Sequence, residues 1–383
     1  MNKKRKIIYL VGFIFSLSIA LMAYINSSFI ASFIDEKSVG TVYTLGSVVS
    51  IFALLVVPKI FRKVGGYKFL LWAIATNALA TALFAFAQNA WSAIVLFTII
   101  FTLNILIFFA LDELLKIISK DSSTGKTRGS YLALASLAWI IAQLLLGTIL
   151  GESSFQMIYL TSFVVMLLFF KIVHAYLRDI PDPEYDKTNT KKYLGEFLKN
   201  KNLFRAYVLA LLLQFFYCWM VIYTPIYLSS YLGFSWSQIG IIFAIMLLPF
   251  SIIPFHLGRY SDKIGERKIL MFGFAVASVA TLSLFFIGQP EVWIWAGLLF
   301  LTRIGAASIE VVGDAYFFKH IRPENEEFVG VYRSATPVAY IFGPLFAFLV
   351  FIFVPSFNFL YLVLGAFLLY GIYLSSTIAK SDI

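Results

Sequence analysis

Charge is scarce in this chain. Only 13% of its 383 residues are Asp, Glu, Lys or Arg, against roughly 25% in soluble domains. With 61% of the residues hydrophobic, a water-soluble core of this length is excluded, and the excess apolar surface must face lipid. Cysteine is almost absent. Cys218 stands alone, so neither an intrachain disulfide nor a cysteine-based metal site is expected. The histidines, His174, His256 and His320, are far apart. No His-x-x-x-His pair, Gly-x-Ser-x-Gly elbow or Gly-rich phosphate loop occurs. A metal, a cofactor and an enzymatic activity are therefore not expected. The net charge of +10 would suggest a nucleic-acid partner in a soluble protein. Here the basic residues fall in alternate loops, so they report topology instead, and no nucleic acid is expected.

What the chain does have is apolar runs of spanning length. They fall near 7–33, 39–57, 69–87, 91–115, 129–150 and 156–176, then 204–230, 237–257, 269–288, 292–318, 328–353 and 357–378. About 20 apolar residues cross the hydrocarbon core. The expectation is an all-α polytopic membrane protein of about twelve transmembrane helices. The run from Ile7 to Ile25 follows Met1-Asn-Lys-Lys-Arg-Lys6. It exceeds a signal-peptide core of about 7–15 residues and reads as a retained first span. Alternate breaks are basic: Lys59, Arg62, Lys63 and Lys68; Lys120, Lys126 and Arg128; Arg259, Lys263, Arg267 and Lys268; Lys319 and Arg322. The others carry Lys37 and otherwise acids, Asp35, Glu36, Glu152 and Glu291. This bias predicts both termini in the cytoplasm and residence in the plasma (inner) membrane.

A polar stretch divides the chain into 1–177, a linker over 178–203, and 204–383. Asp179-Ile-Pro-Asp-Pro183 cannot be helical. Lys191–Lys199 places Tyr193, Leu194, Phe197 and Leu198 on one face. It reads either as an amphipathic helix on the inner leaflet or as a solvated linker. The flanking halves repeat. Pro58-Lys-Ile-Phe-Arg-Lys-Val-Gly65 aligns with Gly258-Arg-Tyr-Ser-Asp-Lys-Ile-Gly265 at a spacing of 200 residues. Gly129-Ser-Tyr131 aligns with Gly330-Val-Tyr332, and Glu113 with Asp314, at a spacing of 201. A parallel six-plus-six duplication is a transporter plan, with a solute site near mid-membrane.

The segment Gly258-Arg-Tyr-Ser-Asp262-Lys-Ile-Gly265-Glu-Arg267-Lys268 resembles the loop motif of the major facilitator superfamily, Gly-x-x-x-Asp-Arg/Lys-x-Gly-Arg/Lys-Arg/Lys. With the helix count, the central loop and the repeat, the resemblance spans the chain. Locally, Gly258 lets helices approach, Gly265 permits a tight turn, and Asp262 suits a helix N-terminus. The resemblance implies two six-helix bundles working by alternating access, helices 1, 4, 7 and 10 lining the cavity, and Asp262 latching onto the start of helix 5 at Arg128. The first-half copy departs from the motif, with Arg62 where the Asp should be. A swapped latch, Arg62 against Glu324, Glu326 and Glu327, is one reading; solvated surface charges are the other.

Most spans are uncharged, but the tenth carries Arg303, Glu310 and Asp314, spaced to share one face. Arg303 falls roughly 15 Å in from Trp293, near the midplane, and Glu310 roughly 25 Å in. An intramembrane charge costs at least ~2.5–3.5 kcal/mol and should face the bundle interior. Arg303 meets either an anionic solute group or, lengthwise, Glu310 or helix carbonyls. Glu310 and Asp314 are expected to meet Arg333 as a gate. Glu310 is alternatively the carrier of a coupling proton, the partner expected of an ion-driven transporter. Polar and aromatic candidates at mid-depth are Ser18, Asn104, Trp139, Gln143, Gln214, Tyr217 and Tyr340. Pro225, Pro249, Pro254, Pro337 and Pro344 interrupt spans and are candidate bending points. The expected activity is secondary active or facilitative transport of a small polar solute, anionic if Arg303 binds it, by a monomer. Alternatives are an exporter of apolar compounds or a lipid flippase on the same fold, and, more remotely, a membrane-embedded enzyme.

Overall fold

A computed structural model describes residues 3–118, 124–152, 154–178, 190–321, 327–354 and 356–378. Side chains at some helix ends lie outside the description, the longest stretches being 112–118, 124–132 and 258–264. The described residues are helical throughout, with no strand among them. Hydrocarbon offers the backbone no hydrogen-bond partner, so each span must satisfy its own amides, and a helix does this within the segment.

Twelve helices among the described residues are long and apolar enough to cross a membrane. They are α1 (Tyr9–Ala31), α2 (Glu36–Val57), α3 (Gly66–Phe84), α4 (Ala90–Leu111), α5 (Ala133–Leu150) and α6 (Phe155–Tyr176), then α7 (Lys201–Tyr231), α8 (Trp236–Pro254), α9 (Glu266–Phe285), α10 (Val292–His320), α11 (Phe328–Phe353) and α12 (Phe359–Ser376). The chain forms two compact units, one of residues 1–186 with 235–244, the other of 187–234 with 245–383.

Each unit has its own packing, and the two patterns correspond. In the first, α1 lies against α4, α5 and α6, while α3 lies against α4 and α6. In the second, α7 lies against α10, α11 and α12, while α9 lies against α10 and α12. The duplication is also written in the backbone. Gly65 and Gly265, which align at the 200-residue spacing, turn between α2 and α3 and between α8 and α9 with φ of 88° and 86°. That left-handed region is costly for any residue with a Cβ.

Close packing needs glycine at one helix crossing in particular. A Cβ placed on Gly305 of α10 would stand 2.6 Å from the Ala277 amide nitrogen of α9. In the first unit, an apolar core joins Val11 and Phe15 of α1 to Leu70 and Ile74 of α3, Ile107 of α4 and Phe169 of α6.

Helical structure continues through Pro225, Pro249, Pro254 and Pro344. The one proline-associated break in α11 falls at Ser334, between the helical stretches Glu327–Arg333 and Ala335–Phe353. Pro337 has no N–H to give the Arg333 carbonyl, which accounts for the break. The linker does hold a helix, Thr190–Lys199. Phe197 is fully buried, with ring centroids 6.1, 6.4 and 5.6 Å from those of Tyr207, Phe317 and Phe328. Leu198, expected on the same face, is exposed.

Candidate functional site

Arg303, Glu310 and Asp314 of α10 meet residues of the two helices beside it, α7 and α11. Nearest the Glu327–Arg333 helix, Asp314 is fully engaged. Arg333 Nη2 lies 2.9 Å from its Oδ2, and the Tyr332 hydroxyl donates to its Oδ1 at 3.0 Å. Tyr332 is held in turn by Phe317, whose ring stacks on it at 4.0 Å and 8°. Of the two acids expected to meet Arg333, only Asp314 does so among the described residues. One turn earlier, Glu310 accepts a 2.9 Å hydrogen bond from the Tyr217 hydroxyl of α7. Gln214, Glu310, Asp314, Tyr332, Arg333 and Thr336 border a small hollow between α7, α10 and α11.

Arg303 is different. It is 1% exposed, and its Nε and Nη1 have no hydrogen-bond partner. The guanidinium carbon instead lies 5.0 Å from the Phe216 ring centroid and 5.5 Å from that of Tyr217. Aromatic faces attract a cation but accept no conventional N–H hydrogen bond of full strength, so this charge is only partly compensated. The expected alternative, lengthwise pairing with Glu310 or with helix carbonyls, is not formed by these two nitrogens. Sequence spacing placed Arg303, Glu310 and Asp314 on one face, and Tyr217 touches the first two. Tyr340 lies half-buried farther along α11, and it has an interaction partner.

In the first unit, Asn104 accepts a 2.8 Å hydrogen bond from Nδ2 of Asn77 on α3. Gln143 is fully buried. Its Nε2 donates to the Ala20 carbonyl at 3.0 Å, leaving Oε1 without a partner. Trp139 packs edge-on against Tyr24 at 6.1 Å. Ser18, expected at a cavity wall, is buried instead. Its hydroxyl donates to the Phe15 carbonyl at 2.8 Å, and its carbonyl accepts from Ser162 of α6 at 2.9 Å. Those bonds satisfy its polar atoms within the bundle.

Among the loop residues, Arg62 is exposed and Arg267 half-buried. Gly258 lies within the helix Trp236–Ile264 that contains α8. The side chains of Asp262, Arg128 and Glu327, and residues Glu324 and Glu326 altogether, lie outside the described residues, as do both proposed latches.

Sequence reasoning missed Asn77, Phe216, Tyr332 and the Glu266–Lys319 pair. Asn77 carried a signal, being polar in an apolar helix. So did Glu266, which stands where the loop motif has a basic residue. Its carboxylate, almost fully buried, meets Lys319 Nζ at 2.6 Å and ties the start of α9 to the end of α10. Phe216 carried none, being one aromatic residue among many, and Tyr332 carried only its place in the repeat, opposite Tyr131.

Residues 7–296 and 220–379 match the family described as Major Facilitator Superfamily. Curated proteins gave no match. Solved structures did. A point mutant of the nucleoside transporter NupG is 12% identical with a TM-score of 0.81, covering 96% of this chain and 98% of that one. The POT family transporter PepTSo is 12% identical with a TM-score of 0.78, covering 98% and 97%. A bacterial homolog of the human lysosomal transporter Spinster is 12% identical with a TM-score of 0.69, covering 98% and 94%. At this identity the likeness is one of fold.

Proposed function

The chain belongs to the Major Facilitator Superfamily, and from that membership we propose that it carries a small polar, anionic solute across the membrane by alternating access. It works as a secondary active or facilitative transporter in the plasma membrane, with both termini in the cytoplasm. The single observation that supports an anionic solute is Arg303. A buried cation with two unpartnered N–H donors is costly to keep. A carboxylate or phosphate group supplies both the missing charge and the missing acceptors. The chain has no phosphate-binding loop, so the driving force is an ion gradient or the solute's own. Titratable or hydrogen-bonding groups that serve the path are Gln214, Tyr217 and Glu310 in the second unit, and Asn104, Trp139 and Gln143 in the first. The gate candidates in the second unit are Asp314 and Arg333.

A thermal-stability screen tests this reading. The purified protein is heated with sugars, amino acids, organic acids, sugar phosphates, drugs and lipids, as wild type and as Arg303→Gln. A ligand at 100 times its dissociation constant stabilises by about 2.7 kcal/mol. The expected result is a small anion that stabilises the wild type and not the variant. Response to apolar compounds or lipids alone would overturn it in favour of an exporter or flippase.

A further inference from the structure

The second unit holds two opposite charges that form no direct ion pair. Asp314 and Arg333 form a direct ion pair and cancel. Arg303 and Glu310, two turns apart on the same helix, form none among the described residues. The described residues give Glu310 one hydrogen-bond donor, the Tyr217 hydroxyl on Oε2, and the residue is exposed toward the hollow beside Gln214 and Thr336. Arg303 keeps Nε and Nη1 free. Tyr217 stands between them, its ring 5.5 Å from the guanidinium carbon and its hydroxyl 2.9 Å from the carboxylate. One side chain thus spaces the cation from the anion and holds them apart.

We propose that the solute is a zwitterion, whose anionic group meets Arg303 and whose cationic group meets Glu310, with Tyr217 as the spacer between the two subsites. This rests on the reading of Arg303 as an anion site. A solute with only an anionic group would satisfy Arg303 and set a second anion near Glu310, which has no ion-pair partner among the described residues. A solute carrying both signs leaves neither charge behind. Tyr217 touches both groups, its ring against the guanidinium and its hydroxyl on the carboxylate, so a solute that displaces it meets both.

The experiment uses the purified full-length protein and compounds matched in threes. Each α-amino acid, ω-amino acid of three to six carbons, or dipeptide is paired with its deaminated acid and its decarboxylated amine. Binding is read by thermal shift on wild type, Glu310→Gln and Arg303→Gln. The expected result is a zwitterion that binds at least about tenfold more tightly than its deaminated acid, a ratio worth about 1.4 kcal/mol. Glu310→Gln, a near-isosteric change at the edge of the hollow, should bring that ratio below about threefold while the acid itself binds no worse. If deaminated acids bind as tightly as their zwitterions and Arg303→Gln abolishes both, the zwitterion is wrong and the anion reading stands. A preference for zwitterions that survives in Glu310→Gln also overturns the assignment of Glu310. If nothing in the series responds while another anion of the wider screen does, the zwitterion is wrong and the anion reading stands; if Arg303→Gln responds like wild type, the anion reading falls and the zwitterion falls with it.

Discussion

Replacing Arg303 by methionine should cost the unliganded protein little or no stability. Methionine is apolar, flexible and of similar reach, so it can fill the same space. Holding an arginine at this depth costs at least about 2.5–3.5 kcal/mol on insertion scales. In the structure the cation recovers much of this from two aromatic faces, at 5.0 and 5.5 Å, contacts worth up to about 2 kcal/mol each when desolvated, as here. Two of its nitrogens recover nothing through hydrogen bonds. Two such contacts roughly offset the insertion cost, so methionine should lie within about 1 kcal/mol of arginine. Chemical or thermal unfolding of the purified protein without ligand measures it, and the same sample with the stabilising anion supplies the second half. The variant should start within about 1 kcal/mol of wild type and gain nothing from ligand. Had Arg303 a purely structural role, its loss would instead leave partners behind and cost stability. A loss of about 2 kcal/mol or more in Arg303→Met would refute the argument.

Other perturbations follow from the packing. Gly305→Ala should cost about 1–3 kcal/mol by forcing a Cβ onto the α9 backbone, whereas Gly297→Ala, on the same helix with open space around it, should be neutral or stabilising; equal effects in unfolding would contradict the close crossing. Glu266→Gln and Lys319→Met, made singly and together, should show a coupling of about 1–2 kcal/mol, since the carboxylate is buried and the lysine half-exposed; additive losses would deny the pair. Phe197→Ala should free the linker helix at a local cost of about 3–5 kcal/mol. Amide hydrogen exchange would then rise over Thr190–Lys199 while α1–α6 stay unchanged, and unchanged exchange would mean that the aromatic box does not hold it.

Hydropathy made the twelve spans legible because lipid demands long uninterrupted apolar segments, and the structure places each within a few residues of its sequence position. The duplication was legible for a different reason. Gly65 and Gly265 occupy a backbone conformation that other residues rarely adopt, so the turn leaves a mark in sequence. The charged residues of α10 were legible as outliers in an apolar helix. Their partners were not. Helical spacing says which residues share a face, but not which neighbour that face meets. Thus Glu310 could not be seen to choose Tyr217 over Arg333, nor Arg303 to lie over Phe216. Ser18 was misjudged because a hydroxyl in a membrane helix can satisfy itself on a carbonyl one turn back, as it does on Phe15, and so needs no cavity. Spans apolar all around have little contrast between faces, which is why Asn77 was passed over although it holds Asn104.

Whether the chain moves an anionic solute along a path that includes Arg303 is tested most directly by uptake into liposomes containing the purified protein. The labelled solute is the compound that stabilises the wild type in the thermal screen. Saturable uptake by wild type, lost in Arg303→Met although that variant remains folded and about as stable, is the predicted result. Uptake by Arg303→Met at the wild-type rate would contradict the account.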